Sequence, residues 1–264
     1  MYTNEDLNFA VKKGVFSAES VEEFRAILSE QKNAPSVDEE NFRLISGFND
    51  IFVVVACLLM LFSSLWVIKS ATGNDSAGLI TFTILSWFLA EFFVLKRKMA
   101  LPAIVLLLSF IGGLFSVVIS FFSQPSEISF ITAAAISTIA AYFHWSRFRV
   151  PITVAVGTAA AVGLVVSIIL SAFPDTNDWL LVIIFLCGLG TFFIAMYWDS
   201  ADTSRITRRS DVAFWLHLFS APLIIHPVFS SLGVLDGNES LVSITIVICL
   251  YAICLLYTSD AADE

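Results

Sequence analysis

Ionisable side chains are scarce within the apolar stretches of this chain, and those few are where chemistry would reside, because polar groups in apolar surroundings are costly and normally face protein or water. Glu91 stands about one turn from the end of an apolar run, just before Lys96, Arg97 and Lys98, toward which it can snorkel. His217 and His226 share a later run. Nine helical steps separate them by roughly 13.5 Å and about half a turn, so in a straight helix they occupy opposite faces and cannot hold one metal. Pro222 and Pro227 can bend that run and free backbone carbonyls, which makes it the expected irregular segment. His217 is expected to act through packing; if its ring serves a hydrogen bond, Gln should replace it better than Leu.

The densest polar stretch is Asp199-Ser-Ala-Asp202-Thr-Ser-Arg205-Ile-Thr-Arg208-Arg209-Ser-Asp211. Its charges nearly balance. Asp211 can support the N-terminus of the next helix while the arginines pair with Asp199 and Asp202 or with anionic headgroups, a network that fixes topology. A phosphate- or nucleotide-binding loop is the sharper alternative, but the glycines and the strand-to-helix context of a phosphate loop are missing, and two aspartates do not specify a divalent cation. Cys57, Cys187 and Cys249 sit singly in apolar runs and suggest small buried hydrophobes rather than a zinc site or a disulfide framework. No catalytic, cofactor or metal signature emerges, and Glu91, Asp199, Asp202, Arg205, Arg208, Arg209, Asp211, His217 and His226 are the candidate functional polar residues.

The elements that must position them follow from composition. With 58% hydrophobic residues, 25 Phe among 264 residues and a mean hydropathy of +0.86, the apolar surplus must face lipid. A hydrocarbon core roughly 30 Å thick needs about 17–25 apolar residues per helix. Seven runs fit: Ile51 to Ile68, Ala77 to Leu95, Leu101 to Phe122, Ile128 to Phe143, Val150 to Phe173, Trp179 to Trp198 and Val212 to Leu232. An eighth begins at Leu241. The expected fold is an all-α polytopic transmembrane helix bundle.

Orientation follows from the bias of Lys and Arg toward cytoplasmic loops. Lys96 to Lys98 follow the second run, Arg147 and Arg149 the fourth, and Arg205, Arg208 and Arg209 the sixth. The alternate loops carry Asp75, Glu127, Asp175, Asp178, Asp236 and Glu239, with Lys69 as their one basic residue. The N-terminus and the basic loops are therefore expected inside a bacterial cytoplasmic membrane. Trp66, Trp87, Trp145, Trp179 and Trp198 lie near the ends of the runs, as rings at headgroup depth do. The net charge of −9 arises mainly outside the runs: residues 1–50 hold ten acids and five bases, and Asp260, Asp263 and Glu264 add three acids. The apolar runs imply a lipid bilayer as partner, and the acidic N-terminal segment argues against nucleic acid.

Residues 1–33 are expected to form a small cytoplasmic helical hairpin, with Leu7, Val11, Phe16, Val21, Phe24 and Leu28 as its apolar contacts, Gly14 ending the first helix and Ser17 capping the second. Residues 34–50 then make a linker and an amphipathic juxtamembrane segment. So small a unit is marginal alone, which suggests that it packs on the membrane or on a protein partner. The run Ala10-Val-Lys-Lys-Gly14-Val-Phe-Ser17-Ala-Glu19, followed by an apolar helix, a short linker and many spans, resembles the bacterial multi-pass membrane proteins grouped as domain of unknown function 2157. The resemblance implies a membrane architecture and no established activity.

Small residues at four-residue spacing, Ala133/Ser137/Ala141, Gly157/Ala161 and Ala159/Gly163, should allow close helix approach. Pro102 and Pro151 each follow a basic turn and open a run, either a weak repeat of roughly 50 residues or the shared chemistry of helix starts. Residues 254–264 resemble an in-frame translation of a sequencing adaptor, so residues 51–253 are expected to carry seven spans and a truncated eighth. The sequence thus points to an integral membrane protein that is a non-enzymatic transport, sensing or envelope-interaction component. The alternative is a membrane-embedded enzyme whose catalytic part lies beyond this sequence.

Overall fold

A computed structural model of the protein describes residues 11–13, 16–17, 19–21, 23, 48–173, 178–201, 208–233 and 240–249. The chain divides into two compact units, residues 1–42 and 43–264. In the first, Ser17 begins a helical turn as its residue type predicts: its Oγ accepts the Ser20 N–H at 3.0 Å and its carbonyl accepts the Val21 N–H at 3.2 Å. Val21 is buried and Phe16 is half exposed. Val11 is half-buried in a helical turn, while Leu7, Phe24, Leu28 and residues 34–47 of the linker lie outside the described residues, as do residues 254–264.

The second unit is an all-α bundle, and no strand occurs among the described residues. Its long helices are α1 (Phe48–Thr72), α2 (Asp75–Ala90), α3 (Ala100–Ser120), α4 (Glu127–Phe148), α5 (Ile152–Ala172), α6 (Leu180–Ser200) and α7 (Arg208–Ser231). A π-helical turn, Glu91–Lys96, continues α2, and residues 241–249 are helical. Seven segments of 21–24 residues are long and apolar enough to cross a bilayer. At 1.5 Å per residue they reach roughly 31–36 Å, matching the hydrocarbon thickness.

The turns show why the helices stop where they do. Gly73, at φ 66, takes the left-handed conformation that ends α1. Asn74 then caps α2, accepting the Ser76 N–H at 2.9 Å, and Lys69 pairs with Asp75 across the turn at 3.0 Å. Ser126 and Ser129 form a reciprocal capping box at the start of α4. Pro102 lies in the first turn of α3, and Pro151 sits immediately before α5, where a missing N–H costs nothing. Both basic turns contain a left-handed non-glycine residue, Lys98 at φ 53 and Arg149 at φ 55. They stand four and two residues before their prolines, so the two turns do not superimpose residue for residue.

Helix α1 packs on α2 and α3, α3 on α2 and α4, and α4 on α5, while α6 pairs with α7 and joins the others chiefly through α5. The small-residue face of α4 is buried, and a side chain at Gly157 of α5 would meet Ala141 at 3.1 Å. Gly163, expected to mark a similar contact, has open space beside it. Large apolar side chains of α1, among them Phe52, Leu59, Phe62 and Trp66, point outward. A bundle solvated by lipid presents such a face.

Candidate functional site

Several hydroxyls are buried in the bundle, among them Thr83, Ser86, Ser137, Thr191 and Ser220, and beneath the ends of α2 and α4 an imidazole joins them. His144 in α4 is fully buried, at 0% exposure. Its Nδ1 lies 3.3 Å from the Thr153 hydroxyl of α5, and its Nε2 has no hydrogen-bond partner. Three rings surround the imidazole: Phe148 one turn along, with centroids 4.5 Å apart, Phe110 of α3 stacked at 5.9 Å, and Trp87 of α2 edge-on at 5.9 Å. Trp87 also packs on Phe110 and Phe148 at 5.1 and 5.0 Å. The tautomer sets what is left over. If Thr153 donates to Nδ1, an N–H points into the cage unmet; if Nδ1–H donates to Thr153, a bare lone pair does.

One turn farther along both helices lies an ion pair. Arg147 of α4 grips Glu91 with two parallel bonds, Nε to Oε1 and Nη2 to Oε2, each 2.8 Å. The fork-on-fork geometry fixes direction as well as attraction. The two side chains keep 55% and 31% of their surface exposed, so the pair closes the rim of the bundle rather than its interior. Glu91 opens the π-helical turn. There the Arg97 N–H reaches the Phe92 carbonyl at 3.1 Å and the Met99 N–H the Phe93 carbonyl at 3.1 Å, bonds wider than the α-helical step. Because the turn is overwide, Lys96 and Arg97 fold back over the Phe92 ring, at 5.9 and 5.7 Å, instead of meeting Glu91. Glu91 is left for Arg147 of a different helix.

The other candidates do not converge on this point. Asp199 is half buried at the end of α6, and Asp202 and Arg205 lie outside the described residues. Arg208 Nη1 donates to the Arg149 carbonyl at 3.3 Å, tying the start of α7 to the α4–α5 turn. Arg209 and Asp211 occupy the first turn of α7, where an acid favours the helix N-terminus. His217 is half buried, its ring edge-on to Phe192 of α6 at 5.3 Å, whereas His226 is exposed. Their unlike surroundings accord with opposite faces. Among the described residues no group of three or more His, Cys, Asp or Glu side chains lies close enough to hold a metal.

One expectation needs correction. The irregular backbone falls in α2, which has no proline, while α7 runs unbroken through Pro222 and Pro227. Trp87, expected near a span end, also forms an inner wall of the His144 cage, because it lies on the α2 face toward α3 and α4. His144 itself went unnoticed because the fourth run was closed at Phe143, five residues short of the helix end. The signal was present: Ser137, Ala141, His144 and Phe148 continue one face at spacings of four, three and four. The chain matches no family model, no curated protein and no solved structure.

Proposed function

We propose that this protein is a non-enzymatic multi-pass component of the bacterial cytoplasmic membrane, of the domain of unknown function 2157 type, with its N-terminus and basic turns inside, and that it works as a sensing or transport element through the α2–α4 joint. The observation that carries this reading is the buried, half-partnered His144 directly beneath the Glu91–Arg147 fork. A π-helical turn holds one residue more than α-helical geometry needs, so its conversion to α-helix turns everything beyond it by about 100° and moves it by about 1.5 Å. What lies beyond is the Lys96–Lys98 turn into α3. Release of Glu91 from Arg147 frees that turn, and the cage around His144, built from α2, α3 and α4, must repack with it. The joint thereby couples the membrane interior to the cytoplasmic surface, and the N-terminal unit offers a surface for a protein partner.

The test uses spin labels on Lys98→Cys and Ser146→Cys in the full chain, with its native cysteines replaced and the protein reconstituted in liposomes. Wild type should show one dominant distance and a minor second one. Glu91→Gln should enlarge the second population, and the exchange Glu91→Arg with Arg147→Glu should restore the first. One unchanged distance distribution in all three proteins would reject a movable joint.

A further inference from the structure

A second charged place, separate from the joint, lies where the α4–α5 turn meets the start of α7. Arg149 is exposed in the left-handed conformation that ends α4. That conformation turns its side chain back along the helix, and the guanidinium lies over the Trp145 ring at 5.6 Å. Arg208, also exposed, spends one N–H on the Arg149 carbonyl, so the two arginines belong to one seam. Among the described residues neither forms an ion pair, whereas neighbouring Arg147 is held by Glu91 and Arg209 is engaged elsewhere. Beneath the seam Trp145, Trp198 and Trp215 pack against Ala155, Ala195, Val212 and Leu216. These rings put the seam at headgroup depth.

We infer that this seam is a binding site for the phosphodiester of an anionic phospholipid. Two guanidiniums that form no ion pair among the described residues, fixed by a backbone bond and an aromatic face, match a phosphate in charge and in planar donor geometry. The tryptophans beneath supply the apolar wall that an acyl chain needs. Among the described residues Asp199 and Asp211 are acids on adjoining helix ends; they set a limit on the local charge and favour a monoanion or dianion over a polyanion. The site requires only that both arginines share one membrane surface, as the Arg208–Arg149 bond demands, so it stands or falls apart from the movement proposed for α2.

The experiment measures retention of lipid by the full detergent-purified chain in native mass spectrometry, together with its unfolding temperature. Phosphatidylglycerol, phosphatidylcholine and soluble glycerophosphate are the probes. Phosphatidylglycerol should bind and raise the unfolding temperature where phosphatidylcholine does not. A contribution of about 1 kcal/mol per surface arginine corresponds to roughly fivefold in affinity, so Arg149→Gln with Arg208→Gln should weaken binding about 25-fold. Arg149→Lys with Arg208→Lys should recover part of it, and the exposed control Lys96→Gln with Lys98→Gln should leave it near wild type. The single variant Arg149→Gln, whose side chain rests only on Trp145, should show about fivefold and reads out the site should the double variant fail to fold. Equal losses in the seam and control variants would overturn the site in favour of diffuse surface charge. An equal response to glycerophosphate would overturn a lipid as its source.

Discussion

An imidazole has two nitrogens, and at His144 only one is engaged. A buried polar atom without a partner costs free energy that a folded protein rarely carries without return. Truncation to His144→Ala should open a cavity among Trp87, Phe110 and Phe148, strand the Thr153 hydroxyl and destabilise the bundle by about 2–4 kcal/mol. His144→Gln, which keeps a hydrogen-bonding group beside Thr153, should lose about 1–2 kcal/mol. Reversible unfolding in micelles checks the order, and equal losses would contradict a hydrogen bond to Thr153 as what the ring contributes. His217 differs because its ring contact among the described residues is an edge on Phe192. Both His217→Leu and His217→Gln should therefore stay within about 1 kcal/mol of wild type. A larger loss confined to Leu in the same assay would reveal a hydrogen bond at that position. Glu91 and Arg147 carry a partly exposed pair, so Glu91→Gln should alter the equilibrium at the joint far more than the unfolding temperature.

At the scale of elements, helix contacts are decided where side chains are missing. A Cβ at Gly188 of α6 would lie 2.9 Å from Leu223 Cβ and 3.0 Å from the Leu223 backbone carbon of α7, whereas one at Gly190 would meet nothing within 4 Å. Gly188→Ala should therefore push α6 from α7 and cost about 1–3 kcal/mol. Gly190→Ala should be neutral or slightly stabilising, since alanine suits a helix better than glycine. Thermal unfolding of the two variants side by side checks this, and equal behaviour would contradict the close α6–α7 approach. The positions of these helices were legible from hydropathy because lipid demands long apolar runs. Their ends were less so: Phe148 lies in α4, beyond the basic and polar residues Ser146 and Arg147, because an arginine at a helix end can reach the rim without ending the helix. The π-helical turn left no mark in Glu91-Phe-Phe-Val-Leu-Lys96, and its first residue answers an arginine 56 positions away, a contact that no local pattern carries.

For the whole molecule, hydropathy was enough to place the seven helices, while residue types alone could not establish the site. The seven helices appear where seven apolar runs stand. The cage and the fork, by contrast, join residues of four helices, α2 to α5; spacing along α4 puts His144 on an inward face but does not name its partners on the other helices. The joint, as proposed, depends on the basic turns lying together on the cytoplasmic side, whereas the arginine seam needs only that its two turns share one surface. Single-cysteine labelling with an impermeant thiol reagent in intact cells tests this most directly, using a chain stripped of native cysteines and sites that remove no basic residue. Pro125→Cys, Asp175→Cys and Asp236→Cys should react from outside. Thr3→Cys, Ser146→Cys and Ser204→Cys should react only after the membrane is permeabilised. Labelling of the second group in intact cells, with protection of the first, would invert the bundle and contradict the account.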